Sequence, residues 1–226
     1  MKQKIKSLIS FFNYIMLLLH LKKSQIKGSS FFKTTIRFQR STNIGIFCSR
    51  IENTSLTVSG SDNKVAFHNA YVAGSVISIE GSQNQVNFEK GVMFRDSSLI
   101  IRGENCVVNI GANTTFGGIR IVNAGKNNNI SIGSNCLFSD YIELWASDTH
   151  PIFNESGQII NQEKPIFIGD HVWVGSKVTI LKGVTIQSGS IIGMGSVVTK
   201  DVPSNVISAG YPNKTIKENV SWKLEY

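Results

Sequence analysis

The residues with the clearest chemical potential lie in one short run, Asp148-Thr149-His150-Pro151. An imidazole titrates near working pH and suits proton transfer. The chain has only four histidines. His150 follows a carboxylate by two residues and opens a segment whose pattern differs from its surroundings. That placement points to a catalytic rather than a structural histidine. The other reactive side chains offer less. Cys48, Cys106 and Cys136 form no CxxC pair, so they give neither a disulfide framework nor a zinc site. None lies beside a histidine, and they read as packing or turn residues of a reduced, cytoplasmic protein. No Walker loop, GxGxxG, HExxH or GxSxG motif occurs.

Two repeats surround this histidine and must position it. From Ile168 the chain keeps a beat of six: Ile168, Val174, Ile180, Ile186, Ile192 and Val198 are all aliphatic. The fifth place of each hexad holds Val172, Val178, Val184, Ser190, Ser196 and Val202, all small or β-branched. Neither a helix of 3.6 residues per turn nor a strand of period two gives that beat. A short strand and a corner, repeated three times per triangular coil, does; this is the signature of a hexapeptide β-helix. Upstream, Gly60-Ser-Asp-Asn63 is echoed at Gly81, Gly103 and Gly125, with spacings of 21, 22 and 22 residues. Cys106 takes the place of one Asn, so the Asn column reads as structural. These repeats predict an all-β parallel solenoid over residues 41–206.

The beat is lost once, between Leu144 and Ile168, and His150 stands near the start of that interruption. Residues 145–167 are therefore expected to leave the solenoid as a catalytic loop.

The formal net charge of +8 is not spread along the 226 residues. Residues 1–50 carry ten Lys and Arg and no Asp or Glu; the remainder carries 13 basic and 15 acidic residues. A nucleic-acid-binding body is thereby disfavoured. Residues 1–27 read as a basic amphipathic helix. It fits either an anionic membrane surface or packing on the domain or a partner subunit. The apolar run Leu8–Leu21 is too short to span a bilayer. Residues 28–40 read as a connector and residues 207–226 as a short helical cap.

Four motifs carry a resemblance. They are Ser147-Asp148-Thr149-His150-Pro151, Ile168-Gly-Asp-His-Val-Trp173-Val-Gly-Ser176, Gly195-Ser-Val-Val-Thr199-Lys200-Asp-Val-Pro203, and Ala209-Gly-Tyr-Pro212-Asn-Lys214-Thr-Ile-Lys217. Together they resemble the hexapeptide-repeat acyltransferases. The chain is similar to the maltose and galactoside acetyltransferase branch, and most of all to bacterial capsule, lipopolysaccharide and polysialic acid O-acetyltransferases. Residues 130–220 match in motif and residues 41–129 only in architecture.

The resemblance implies a left-handed parallel β-helix, a homotrimer with active sites between subunits, and acetyl-CoA as the donor, with no metal. His150 matches the family's general base, in a direct transfer. The backbone N–H of Ser176 matches its oxyanion donor. Trp173 matches an aromatic beside the thioester and pantetheine arm; Met194, Thr199 and Lys200 match the lining of the CoA channel. Lys214 and Lys217 match basic residues near the CoA phosphates. Asp148 is a candidate to orient His150, with a backbone carbonyl or Glu155 as alternatives. Glu143 and Trp145 are candidate acceptor contacts, and His171 reads as a surface residue rather than a second base. The acceptor expected is a saccharide hydroxyl, in the cytoplasm or at the inner face of the membrane. Acetylation of an amino sugar, or a scaffold with no catalysis, are the competing readings.

Overall fold

A computed structural model of the chain describes residues 25–39 and 41–224. Its strands follow the beat of six. Three consecutive short strands make one coil, and equivalent strands of successive coils stack in register into three parallel sheets. The first sheet has eight strands, from Gln25–Lys27 to Thr185–Ile186. The second has ten, from Ser30–Phe32 through Trp173–Val174 to Lys214–Lys217. The third has eight, from Thr35–Phe38 to Val197–Val198. The result is the expected parallel β-helix, of about eight coils.

Burial explains the sequence code. Ile168, Val174, Ile180, Ile186, Ile192 and Val198 all point into the axis and are buried. So are the corner residues Val172, Val178, Val184, Ser190, Ser196 and Val202. A serine is tolerated at such a corner because its hydroxyl finds a carbonyl: Ser190 Oγ donates to Pro203 O (2.6 Å) and Ser196 Oγ to Gly193 O (2.6 Å). Phe67, Phe88, Phe94, Phe116 and Phe138 stack along the axis, with successive ring centroids 4.7 to 5.5 Å apart. Burying each contributes roughly 1.5–3 kcal/mol.

The Asn column is a ladder of hydrogen bonds, as the repeat suggested. Asn63 Nδ2 donates to Gly81 O (2.8 Å), and Asn63 Oδ1 accepts from Asn84 N (2.9 Å). Asn84 repeats both bonds one coil on, with Gly103 O and Cys106 N (each 2.9 Å). At Cys106 the thiol takes the slot and lies 3.4 Å from Gly125 O. Glycine precedes each Asn because a Cβ at Gly60 would stand 2.0 Å from the Gly81 carbonyl oxygen, a contact no side chain can make.

Three expectations change. The connector assigned to residues 28–40 instead forms strands Ser30–Phe32 and Thr35–Phe38. The solenoid therefore starts by Gln25, not at residue 41. Ile26, Phe31, Ile36 and Phe38 of this coil lie against the core; the coil lacks the Gly-x-x-Asn turn that marks the later ones. The C-terminal helical cap is replaced by strand Lys214–Lys217, which runs antiparallel to Ile207–Ala209 and covers the open edge of the second sheet. The helix expected over residues 1–27 falls mainly outside the described residues, and Gln25–Lys27 of it are strand. No helix long and apolar enough to cross a membrane occurs among the described residues.

Candidate active site

The chain leaves the third sheet at Trp145 and re-enters the solenoid at Ile166 in the first. The loop between them is therefore rooted at the corner joining those sheets. Its outer part folds on itself as a short hairpin. Phe153 bridges Ile159, Ile160 N donates to Ile152 O (2.9 Å), and the Asn154 carboxamide oxygen accepts three bonds across the turn.

His150 stands at the loop's root. Its side chain is exposed, and no hydrogen bond joins its ring to another described residue. Neither Asp148 nor Glu155 reaches the imidazole. Asp148 Oδ2 instead accepts from Lys182 Nζ (2.6 Å) and from Asn161 Nδ2 (2.8 Å). The Lys182 ammonium holds the Asp148 carboxyl below its ordinary range, with the Asn161 bond helping and partial burial opposing. Asn161 Nδ2 also donates to the carbonyl of His150 (2.8 Å). Asp148 thus touches the backbone support of the histidine rather than its ring. Between them Thr149 adopts φ 63°, a left-handed conformation unfavourable for a β-branched residue. Its N–H is held by Ser147 Oγ (2.9 Å).

The predicted donor-side residues gather at the next corner, between the second and third sheets. Trp173 presents its ring outward from the second sheet, 37% exposed, between Leu137 and Ile191 of neighbouring coils. Ser176 follows at the corner, and its carbonyl accepts from Gly195 N (2.9 Å). Met194, 73% exposed, sits one coil further on at the same corner. Lys214 and Lys217 project from the last strand of the second sheet, both exposed. Thr199 and Lys200 belong elsewhere: they follow Val197–Val198 as Leu181 and Lys182 follow Ile180, at the corner that carries the His150 loop.

One third-sheet strand, Thr179–Leu181, separates the two groups. Ser176 precedes it and Lys182, the anchor of the His150 loop, follows it. The three extended residues of that strand span roughly 10 Å. Within one chain, then, the loop root and the Ser176 corner lie at opposite edges of the third sheet.

The outer face of that sheet holds Glu143 and Trp145. Trp145 Nε1 donates to Glu143 Oε2 (2.8 Å), and the Arg120 guanidinium lies 5.2 Å above the indole centroid. Glu143 also lines a groove of about 660 Å³ along the second-to-third corner, with Asp96, Arg120, Asp140, Tyr141 and Lys177.

Sequence reasoning missed Lys182, Asn161 and Trp222. His171 is exposed as expected but not idle. The imidazole stacks on Trp222 at 4.1 Å and 2°, and Trp222 Nε1 donates to His171 O (2.9 Å). Trp222 also lies 6.0 Å from Trp173. Of the thiols, Cys136 lies beneath this cluster, its Sγ accepting from Val172 N (3.4 Å). Cys48 is exposed in a turn at φ 49°, whereas Cys106 and Cys136 are buried. Burial pushes the Cys136 thiol up to about 11.

Comparison with known proteins places these features. The profile of a family described as bacterial transferase hexapeptide (six repeats) matches residues 165–200. The polysialic acid O-acetyltransferase of Escherichia coli O1:K1 / APEC is 52% identical over 88 residues, 38% of this chain. That match spans only 29% of the relative's length. Two crystal structures align over nearly the whole chain. The polySia-specific acetyltransferase NeuO is 31% identical, with 90% of this chain and 88% of that one covered at a TM-score of 0.65. The polysialic acid O-acetyltransferase OatWY is 31% identical, with 89% and 93% covered at a TM-score of 0.72.

Proposed function

This chain belongs to the hexapeptide-repeat acyltransferases, and from that premise we propose that it is an acetyl-CoA-dependent O-acetyltransferase. Its acceptor is a hydroxyl of a bacterial surface saccharide (capsule, sialic acid polymer or lipopolysaccharide) or of its sugar precursor. The observation that carries this reading is the single break in the solenoid, which sets His150 at the root of the only long loop among the described residues. The names of the similar structures, both acetyltransferases of polysialic acid, support the donor and the saccharide class.

In this reading the His150 imidazole removes the proton of the attacking hydroxyl as the oxygen bonds to the thioester carbon. The Ser176 N–H stabilises the oxyanion that forms. The carbon–sulfur bond then breaks, and the imidazolium returns its proton to the departing thiolate. Trp173 offers an exposed apolar surface for the pantetheine arm, with Met194 beside it. Lys214 and Lys217, both solvent-facing, suit the CoA phosphates. Thr199 and Lys200 approach the channel from the His150 side, and Glu143 and Trp145 approach the acceptor.

The separation of the His150 loop from Ser176 supports a homotrimer. The loop corner of one subunit would face the Trp173–Ser176 corner of the next, completing a site that one chain leaves divided. The basic residues of the first fifth of the chain support a cytoplasmic location beside an anionic membrane face.

The test is transfer itself. Incubation with acetyl-CoA and a panel of polysaccharides and nucleotide sugars, read by free thiol release and product mass, is expected to yield an O-acetylated sugar. His150→Ala should abolish transfer while assembly size and acetyl-CoA binding persist. Wild-type turnover in that variant would overturn the mechanism.

A further inference from the structure

We infer that Lys182 and Asn161 are positioning residues that set where the His150 imidazole stands; the inference rests on His150 being the base proposed above. The ring has no partner among the described residues, so its place is fixed through its backbone. One side chain, Asn161, ties that backbone at two points and bonds the Asp148 carboxylate as well. Asn161 Nδ2 donates to Asp148 Oδ2 (2.8 Å) and to His150 O (2.8 Å), and Asn161 Oδ1 accepts from Ile152 N (2.6 Å).

Asn161 is in turn tied to the solenoid by Lys182. The Lys182 ammonium donates to Asp148 Oδ2 (2.6 Å), Asn161 O (2.8 Å) and Gln162 O (3.1 Å). All three of its donors are therefore spent on the loop. Its side chain is 18% exposed, and so is better shielded from screening than a surface ion pair.

Two features separate this strut from an ordinary loop anchor. The first is where it ends, on the carbonyl of His150 itself. The second is the left-handed Thr149 immediately before the base, a conformation that persists only where its surroundings impose it. The strut also links the two halves of the proposed site. Lys182 and Ser176 flank the same third-sheet strand, Thr179–Leu181. A rigid element therefore fixes the loop root relative to the oxyanion donor in every subunit, as a site shared between subunits requires.

Kinetics on the full-length protein test this. His150→Ala is measured first and should lose transfer. Lys182→Met and Asn161→Ala should each lower kcat about 10- to 100-fold, the scale of a misplacement near 1 Å, with KM for acetyl-CoA held within about twofold. Lys182→Arg, which keeps charge and donors, should recover most of the lost kcat. If both variants keep wild-type kcat while His150→Ala is inactive, the strut has no positioning role and the base assignment stands. If His150→Ala turns over normally, the base assignment falls and takes the inference with it. A change confined to KM for acetyl-CoA would also overturn positioning. Should Lys182→Met fail to fold, Asn161→Ala decides alone.

Discussion

The indole of Trp222 lies flat on the imidazole of His171, ring centroids 4.1 Å apart and planes within 2°. The two residues also close a ring of hydrogen bonds, Trp222 Nε1 to His171 O (2.9 Å) and His171 Nε2 with Trp222 O (3.0 Å). Beyond Lys217 the tail adds only one further backbone bond among the described residues, Val220 N to Asn205 O. Trp222→Ala should therefore free residues 218–224 locally and leave the coils intact. Hydrogen exchange should show faster exchange there and unchanged protection in the strands; equal protection in the tail would refute the clasp.

The thiols predict a second outcome. Only Cys48 is exposed, so native protein should react with one equivalent of thiol reagent per chain, rising to three on unfolding. The folded state holds the Cys136 thiol protonated up to about 11, against an ordinary value of 9.0, mainly through burial. A raised folded value means that stability from this group is complete below pH 9 and is lost as pH climbs toward about 11. Denaturation midpoints should fall across that window, and Cys136→Ser should flatten the fall. Identical pH dependence in the two proteins would exclude this origin.

The acid side concerns the loop. Asp148 is held below its ordinary value of 3.8, first by the Lys182 bond. A lowered folded value gives a contribution that is present above that pH and disappears as pH falls through the folded value. Proteolysis of the segment Ile152–Ile160 should stay slow in mild acid and quicken only below about pH 4. In Lys182→Met it should already be quick at neutral pH. Equal cleavage of both proteins at pH 7 would show that the ion pair does not hold the loop.

Cys106 interrupts the Asn ladder, and its sulfur is a poorer partner than a carboxamide. Cys106→Asn should supply the missing bonds, to Gly125 O and from the Asn128 N–H. The expected gain is about 0.5–1.5 kcal/mol. Asn84→Ala should do the reverse, at a cost of about 1–3 kcal/mol for each group left unpaired. Denaturant titration reads both, and a destabilised Cys106→Asn would show that the slot has adapted to sulfur.

In the axis, Phe116 touches Phe94 and Phe138 at 5.5 and 4.7 Å. Phe116→Ala should cost about 3–5 kcal/mol. A loss below about 1 kcal/mol in calorimetry would mean that the stack closes over the gap.

The solenoid is legible in the sequence because side-chain direction repeats with the chain: Ile168, Val174 and Ile180 face one axis for the same reason at each side of a coil. The loop that carries His150 is legible because it marks where that rule fails. The first coil escapes notice because Ser30–Phe38 has short alternating strands but no Gly-x-x-Asn turn. Residues 214–217 read as the edge of a helix, yet Thr215 and Ile216 are β-branched and a sheet edge lay open beside them. Lys182 and Trp222 escape for another reason. Lys182 meets Asp148 across 34 residues and Trp222 meets His171 across 51. Such partners become neighbours only when coils stack, and no local spacing records them.

The in-register stacking of coils makes the molecule a modular ruler. Strand Val76–Ser82 pairs with Ser98–Glu104 so that Gly81 faces Gly103, one unit of 22 residues along. Excising residues 81–102 joins like to like and shortens the barrel by one layer, about 4.8 Å. The His150 and Ser176 corners above residue 130 keep their mutual geometry under that excision. On the proposed function, the reach of the solenoid along a saccharide acceptor and the transfer step are thus separately adjustable. A 22-residue deletion variant that still transfers acetyl groups, with altered preference for acceptor length, is the outcome this modularity predicts.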